Sequence, residues 1–368
     1  MINNLEVFME SCGNRRNSTI DILRVLFAVV IALFHIAEVY PLQISNKISL
    51  FAQGAIGVEF FSVVTGFLMA QSVKKRLEEK SFEIGKETAY YVGRKYIKIF
   101  PYHLFSFVIS LFLYLLWNSN SLFDKVRIVF FSFSDLFMLN MTGLYSLKLN
   151  VPAWYLSSMF ISLLILYPVI RTKYDLFVHV LSPVFVLFCA GWMSLTTESM
   201  RGIEMWCGIM YKGTLRVGMG IALGSICFEV CQVIRGKKLT PKVKTVLSIL
   251  EIAGYAVTFL YSCMNLSEQG YFVIFFIIAA SITLTFSNVT VTRDINFLRG
   301  KAKLENLSLA IFLNQTYCAT IIKHIINQYN LKIKNTIIVL IYLFMVFVSS
   351  ALCLIVVNGV KRKTMRTR

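Results

Sequence analysis

Charged residues are scarce in this 368-residue sequence. Asp, Glu, Lys and Arg make up 15% of it, whereas a soluble globular domain carries about 25%. Length alone would suggest two or three soluble domains. However, apolar runs of about 20 residues, long enough to cross a bilayer, recur along the whole chain. The shortage of charge therefore excludes a string of soluble domains and predicts one all-α, polytopic membrane protein.

Metal-binding and targeting signals are also missing. The eight cysteines form no Cys-x-x-Cys pair and have no histidine at metal-ligand spacing, so we expect neither a metal site nor a disulfide framework. Cys227 and Cys231 are four residues apart on a predicted helix, which is more typical of packing than of chemistry. Residues 1–19 contain no apolar run, so no cleaved signal peptide is expected. No internal repeat is visible.

Acidic residues are few as well. With 37 Lys and Arg against 19 Asp and Glu, the net charge is +18, which suits nucleic acid, anionic lipid or an anionic substrate. The distribution of charge among the loops decides between these partners, so the spans must be placed first. Ten apolar segments predict membrane-spanning helices, at about 20–40, 52–72, 97–117, 152–170, 175–195, 212–232, 245–263, 270–287, 304–325 and 335–358.

The loops between these spans differ in charge. If the N-terminus is cytoplasmic, 25 Lys and Arg residues lie in the cytoplasmic loops and tails and only 7 in the outer loops, as the positive-inside rule requires. We therefore expect a multi-pass protein of the cell membrane with both termini cytoplasmic: a tail at 1–19, a transmembrane domain at 20–358 and a basic tail at 359–368. No nucleic-acid partner is expected. Membrane orientation alone explains the positions of most of these cations. The alternative is that they form a cationic cytoplasmic funnel for an anionic cofactor.

The first predicted span, Ile20–Tyr40, contains Arg24 and His35. Eleven helical steps of about 100° each return to within roughly 20° of the starting direction. Both side chains therefore project from one face of the helix, about 16 Å apart along its axis. Ionisable groups at membrane depth are costly and normally face a protein interior. A snorkelling arginine plus a histidine satisfied by a neighbour is one interpretation; a shared pathway, with both side chains opening onto one chamber, is the other.

Further charges lie in the next two spans. Glu59, early in the second span, needs a partner at membrane depth, and His35 or Arg24 is the expected one. Arg94, Lys95 and Lys98 lie at the start of the third span, where Lys95 and Lys98 share a helix face. Topology and phosphate binding are competing explanations for this basic cluster.

The longest predicted outer loop covers about 118–151. It contains an apolar stretch, Ile128–Leu139, that is too short to span a bilayer and indicates an interfacial or re-entrant segment. The loop is either a simple connection lying on the interface or a cover that faces an acceptor.

Several motifs together resemble acyltransferase family 3, the membrane O-acyltransferases that modify bacterial surface glycans. The Arg24–His35 spacing reproduces the family's Arg, ten residues, His pattern, and "GVEFFSVVTGFL" resembles its second-helix motif with Thr65 in place of serine. The basic "R-x-x-R-I-x-P" run reads Lys95, Lys98, Ile99, Pro101 here, so lysine keeps the charge but loses the bidentate fork. "VPAWYLSSMF" and "LSLAIFLNQT" resemble two later helices.

Two positions depart from the family's pattern. Some members carry a glutamate two residues after the serine of the "VPAWYLSSMF" helix that corresponds to Ser157. This sequence has Met159 at that position. Gln315 stands where the late helix often carries histidine.

The resemblance implies transfer of an acyl group, usually acetyl, from cytoplasmic acetyl-CoA or another acyl-CoA to a hydroxyl of a cell-surface or lipid-linked glycan. The chemistry is plausible from the residues, because a neutral imidazole can deprotonate an alcohol as it attacks a thioester, and hydrogen-bond donors could stabilise the oxyanion. The expected site residues are His35 as general base with Arg24 and Glu59 (catalytic), Arg94, Lys95 and Lys98 (cofactor), and Trp154, Tyr155 and Ser157 (substrate).

Two other classes of function remain open. Ten helices with buried charge also suit a transporter or flippase of a glycan or lipid precursor, although the sequence shows no paired repeat with symmetric broken helices. A membrane scaffold would not explain the alignment of Arg24 with His35.

Overall fold

The computed structural model describes residues 17–45, 48–79, 83–118, 121–196, 202–264, 270–294 and 304–366. Within these ranges, nine helices are long and apolar enough to cross a membrane, and a tenth apolar helix, Tyr271–Ser287, has 17 residues. The ten predicted spans each correspond to one of these helices, so the prediction of a polytopic helical membrane protein is confirmed.

The helices alternate in direction, which defines two ends of the bundle. We call the end that contains Ser18 the amino-terminal face and the opposite end the far face. The elements in chain order are α1 (Ser18–Ala37), β1 (Leu42–Ser45), β2 (Ile48–Leu50), α2 (Gly57–Lys74), α3 (Ile84–Asn118), α4 (Leu122–Phe131), α5 (Phe133–Leu136), α6 (Ala153–Thr172), α7 (Tyr174–Thr196), α8 (Lys212–Gly236), α9 (Pro241–Ser262), α10 (Tyr271–Ser287), α11 (Leu304–Gln328) and α12 (Asn335–Arg366).

Two boundaries differ from the sequence prediction. Helix α3 begins at Ile84 rather than near residue 97. The polar residues that precede its apolar segment are also helical, so the helix starts before the apolar segment does. Helix α12 continues to Arg366, so most of the predicted tail 359–368 is helical. Most of the predicted tail 1–19 lies outside the described residues.

Short polar contacts fix the ends of the helices to one another. At the amino-terminal face, the Asn17 side chain caps α1 by accepting from Thr19 N and Ile20 N, and its Nδ2 donates to Thr285 O at 3.0 Å. At the far face, the antiparallel hairpin β1–β2 leads into α2, and Gln53 N donates to Ser262 O at 3.1 Å.

Helices α2 and α8 approach each other closely at three glycines, two of which meet the backbone of the partner helix. A Cβ placed on Gly66 would lie 1.9 Å from the carbonyl oxygen of Ile221, and one on Gly224 would lie 2.1 Å from Val63 O. A Cβ on Gly220 would lie 2.0 Å from Ser62 Oγ. Small residues permit such close approach between membrane helices, so this contact sets the position of α8 relative to α2.

We expect the Gly66→Ala variant to be destabilised by about 1–3 kcal/mol or more, because the added methyl group forces the α2 and α8 backbones apart. Gly191→Ala is the matched control, since Gly191 lies on the exposed side of α7 and a Cβ added there would meet no atom within 4 Å. Thermal unfolding in detergent measures both. Equal melting temperatures for the two variants would contradict the proposed close packing.

Candidate functional site

A cavity of about 490 Å³ opens at the amino-terminal face between α1, α2, α3, α6 and α11. Four cationic side chains line it, those of Arg24, Arg94, Lys95 and Lys98. The same lining includes one carboxylate, that of Glu305, whose Oε1 lies 2.5 Å from Lys98 Nζ. The structure therefore brings these four predicted site residues together from two helices, with Arg24 and Arg94 about 70 residues apart in sequence.

The long helix α3 places the basic cluster at this cavity. Because α3 begins at Ile84, Arg94, Lys95 and Lys98 all lie within it rather than in a preceding loop. Pro101 follows within the same helix. Arg24 comes from α1 and pairs with Asp21 at 3.1 Å.

The lining becomes apolar away from the amino-terminal face. On α11 it runs from Glu305 past Leu309 to Phe312, seven residues and about 10 Å along the helix. Facing it, Val64 on α2 and Met159 on α6 are also apolar. The cavity thus has a cationic mouth and an apolar interior, the polarity of a ligand with an anionic head and an apolar tail.

Three aromatic side chains close the deep end, and we call them the aromatic floor. Phe61, Tyr155 and Phe312 contact one another, with ring centroids 6.4 Å apart for Phe61–Tyr155, 6.1 Å for Phe61–Phe312 and 5.8 Å for Tyr155–Phe312. All three line the cavity. The cavity therefore ends inside the bundle.

His35 does not line this cavity. Its side chain is 24% exposed, and its Nδ1 lies 3.7 Å from Glu38 Oε2. Ala28 and Ile31, which lie between Arg24 and His35 on the same side of α1, are 0% and 1% exposed. The expectation that Arg24 and His35 open onto one chamber therefore does not hold for this cavity, because packed side chains fill the stripe between them.

The depth of His35 follows from the contacts of α2. A Cβ on Gly57, the first residue of α2, would lie 2.9 Å from Ile31 Cγ1, so α2 begins beside Ile31. Phe61 is one turn from there toward the amino-terminal face, and His35 is one turn toward the far face. The aromatic floor and His35 are thus separated by about two turns, or roughly 11 Å.

Glu59 pairs neither with His35 nor with Arg24, contrary to our expectation. Its carboxylate accepts from Arg216 Nε on α8 and from the Tyr271 hydroxyl on α10. Glu59 is 0% exposed and Arg216 is 1% exposed. The partner of Glu59 lies 157 residues away in sequence. The prediction of a partner on the neighbouring helix α1 was therefore wrong.

Arg216 is the residue that the sequence reasoning missed. It also donates from Nη2 to Ala55 O at 3.0 Å, and its guanidinium lies 5.8 Å from the Trp154 ring centroid and 5.2 Å from the Tyr271 ring centroid. The signal was present, because an arginine inside a predicted span needs a counter-charge as much as a glutamate does.

The predicted substrate residues occupy three different settings. Tyr155 belongs to the aromatic floor, Trp154 packs against Arg216, and Ser157 Oγ accepts from Met141 N at 3.0 Å. Of the three, only Tyr155 lines the cavity.

The two positions that depart from the family's pattern lie on opposite sides of the aromatic floor. Met159 lines the apolar interior. Gln315 is buried, and its Nε2 donates to Phe312 O at 2.8 Å.

The long loop before α6 contains the short helices α4 and α5, at the far side of the bundle. Its helix α4 has no buried residue, and Leu122, Phe123 and Phe130 are at least 75% exposed, as expected for an interfacial helix. The segment after it reaches inward: the imidazole Nε2 of buried His103 lies 2.9 Å from Asp135 O, and Asn150 Nδ2 donates to Leu313 O at 3.1 Å. Among the described residues, no three His, Cys, Asp or Glu side chains converge as metal ligands.

A family model described as an acyltransferase domain matches residues 17–355. No curated protein and no solved structure matches the chain. The matched region includes the cavity, the aromatic floor, the Glu59–Arg216 pair and His35.

We expect Arg216→Met to lower the free energy of unfolding by about 3–5 kcal/mol, because it leaves the Glu59 carboxylate buried without its cation. The double variant Glu59→Gln with Arg216→Met removes both charges and should recover part of that loss. Lys148→Ala is the control, since the Lys148–Glu204 pair is more than half exposed and such pairs contribute about 0–1 kcal/mol. Unfolding in detergent compares all three, and an Arg216→Met protein as stable as wild type would rule out the assigned pairing.

Proposed function

Because the chain belongs to acyltransferase family 3 over residues 17–355 and is a membrane acyltransferase, we propose that it transfers an acyl group, acetyl by preference, from acyl-CoA to a hydroxyl of a cell-surface or lipid-linked glycan. The cavity at the amino-terminal face supports this proposal best. Its cationic mouth and apolar interior match a donor that has phosphates at one end and a thioester at the other.

The orientation that we propose follows from the charges of the loops. The excess of Lys and Arg lies on the loops at the amino-terminal face, so this face is cytoplasmic by the positive-inside rule. Acyl-CoA is made in the cytoplasm and carries several negative charges, so its donor site should open on this face. The far face then meets the glycan.

The cations at the mouth divide into two groups. Lys98 is paired with Glu305 and Arg24 with Asp21, whereas Arg94 and Lys95 form no salt bridge with any described carboxylate. Cations that lack a protein counter-ion are the ones that gain most from a phosphate. We therefore assign Arg94 and Lys95, with Lys98 beside them, to the donor's phosphates.

His35 is the proposed general base. Its imidazole accepts the proton of the acceptor hydroxyl as the oxygen attacks the thioester carbonyl carbon. The carbon–sulfur bond then breaks, and the imidazolium returns the proton to the departing thiolate. Glu38, 3.7 Å from Nδ1, can hold the ring orientation and stabilise the imidazolium. An acyl-histidine intermediate would use the same side chain as nucleophile.

We call the cavity at the amino-terminal face the donor cavity. In depth, the aromatic floor lies between this cavity and His35, so the proposed transfer requires that the floor open. Tyr155 forms part of this floor, and its hydroxyl is a candidate donor to the oxyanion once the thioester has passed. Arg216 and Glu59 act at a distance: they hold Trp154 and thereby the start of α6, which carries Tyr155.

We expect His35→Ala to lower acyl-CoA-dependent acylation of glycan by membranes at least about 100-fold, the usual contribution of a general base. His324→Ala is the control, because His324 is a far-face histidine that stacks on Trp117 and does not line the cavity. Mass spectrometry of the glycan reports the ester. Full acylation by His35→Ala at equal protein level would remove His35 from the mechanism, and substrate movement without any need for acyl-CoA would indicate a transporter.

We expect Lys95→Ala combined with Lys98→Ala to raise the KM for acyl-CoA about tenfold or more, because two charge-assisted contacts to phosphate are lost. The effect should shrink as salt is added. Lys237→Ala with Lys238→Ala is the matched control, since these exposed lysines lie on the same face away from the cavity. An unchanged KM in the first variant would leave topology as the sole role of these lysines.

A further inference from the structure

Two smaller cavities adjoin the mouth of the donor cavity, one on each side. The first, of about 220 Å³, lies between the end of α2 and the start of α3; we call it the tyrosine-side cavity because Tyr90 and Tyr91 line it. The second, of about 380 Å³, lies between α1, α8 and α10; we call it the amide-side cavity because Asn17, Gln71 and Asn288 line it.

Each side cavity shares lining residues with the donor cavity. The tyrosine-side cavity shares Arg94, Lys95 and Lys98 with it, and the amide-side cavity shares Arg24 and Glu305. Under the proposed function, each side cavity is thus a candidate site for the 3′-phosphorylated nucleotide of a donor whose acyl arm lies in the apolar interior.

Charge distinguishes the two. Among the described residues, the lining of the tyrosine-side cavity has four cations and no carboxylate, because it adds Arg76 to the three shared residues. The amide-side cavity has two cations, Arg24 and Arg235, and two carboxylates, Asp21 and Glu305. A nucleotide with a diphosphate and a 3′-phosphate is repelled by carboxylates and attracted by cations. Lys98 and Arg76 have carboxylate partners outside this lining, whereas Arg94 and Lys95 form no salt bridge with a described carboxylate, and the balance favours the tyrosine-side cavity.

Arg76 has capacity for a further anion. It contacts Glu87 at 3.4 Å, but that carboxylate already accepts two bonds of 3.0 Å from Arg171 Nε and one of 2.7 Å from the Tyr167 hydroxyl. Arg76 is thus the most distant of the donors to Glu87. A guanidinium has five N–H donors in a planar fork, so Arg76 can keep this contact and still bind a phosphate.

Tyr90 offers a surface for a base. Its side chain belongs to a residue that is 47% exposed, and the Arg94 guanidinium carbon lies 5.7 Å from its ring centroid. An exposed aromatic face next to an arginine is a stacking platform for a purine. The platform and the phosphate-binding cations lie in the same cavity.

We propose that the tyrosine-side cavity binds the 3′-phosphoadenosine end of the acyl donor, with Arg76 contacting the 3′-phosphate and Tyr90 stacking on the adenine. The inference rests on the proposed function, since it names a subsite for that function's donor. It assigns to Arg76 a role in distinguishing donors that carry a 3′-phosphate from donors that lack it.

The test compares acetyl-CoA with acetyl-dephospho-CoA, which lacks only the 3′-phosphate. We expect the wild-type protein to prefer acetyl-CoA in kcat/KM by about tenfold or more, the value of a charge-assisted contact. Arg76→Gln should abolish most of this preference by raising KM for acetyl-CoA alone. The ratio is taken within one preparation, so a loss of folded protein cancels.

Arg235→Gln is the matched control, since Arg235 lines the amide-side cavity but not the donor cavity. Its ratio of kcat/KM for acetyl-CoA to kcat/KM for acetyl-dephospho-CoA should match that of the wild-type protein. Tyr90→Leu should raise KM for both donors several-fold, whereas Tyr90→Phe keeps the ring and should restore both. The inference is overturned if wild type shows no preference, if Arg76→Gln keeps the wild-type ratio, or if Arg235→Gln is the variant that loses it. Absence of turnover with either donor in wild type would instead overturn the proposed function itself.

Discussion

A carboxylate and a guanidinium buried inside an apolar bundle must neutralise each other, and the rest of this structure is arranged around the pair that does so. Neither Glu59 nor Arg216 could stay charged there alone. Their contact is possible because glycines bring the α2 and α8 backbones together. Tyr271 and Trp154 complete the surroundings of the pair, so four helices meet at this charge. The start of α6, and with it one side of the aromatic floor, is positioned by that meeting.

The sequence predicted the spans well because crossing a membrane is a local property: about 20 apolar residues in a row suffice. It predicted the basic cluster for the same reason, since Lys95 and Lys98 are neighbours on one helix. The partner of Glu59 was beyond this reasoning. Sequence shows that a buried carboxylate needs a cation but not which of the helices supplies it, and the nearest candidate in sequence was wrong.

Helical periodicity also has a defined limit in the case of Arg24 and His35. It gives the directions in which two side chains leave a helix, and from these we inferred a common chamber. It does not tell what is packed between them. In the structure the intervening Ala28 and Ile31 are buried, and neighbouring helices occupy the space. The cavity wall was unpredictable in the same way, because Phe61, Tyr155 and Phe312 come from three helices that are far apart in sequence.

The separation between donor cavity and base has a physical rationale under the proposed function. A channel that stayed open from one face to the other would let water hydrolyse the thioester and let small solutes cross the membrane. A closed aromatic floor prevents both. Its three ring contacts contribute about 0.5–1.5 kcal/mol each beyond their buried area, so parting them costs a few kcal/mol. Under the proposed function, phosphate contacts at the mouth would contribute a similar amount, enough to shift the floor toward its open state if those contacts are better made when it is open. The proposed chemistry at His35 would then be coupled to occupation of a cavity that His35 does not line.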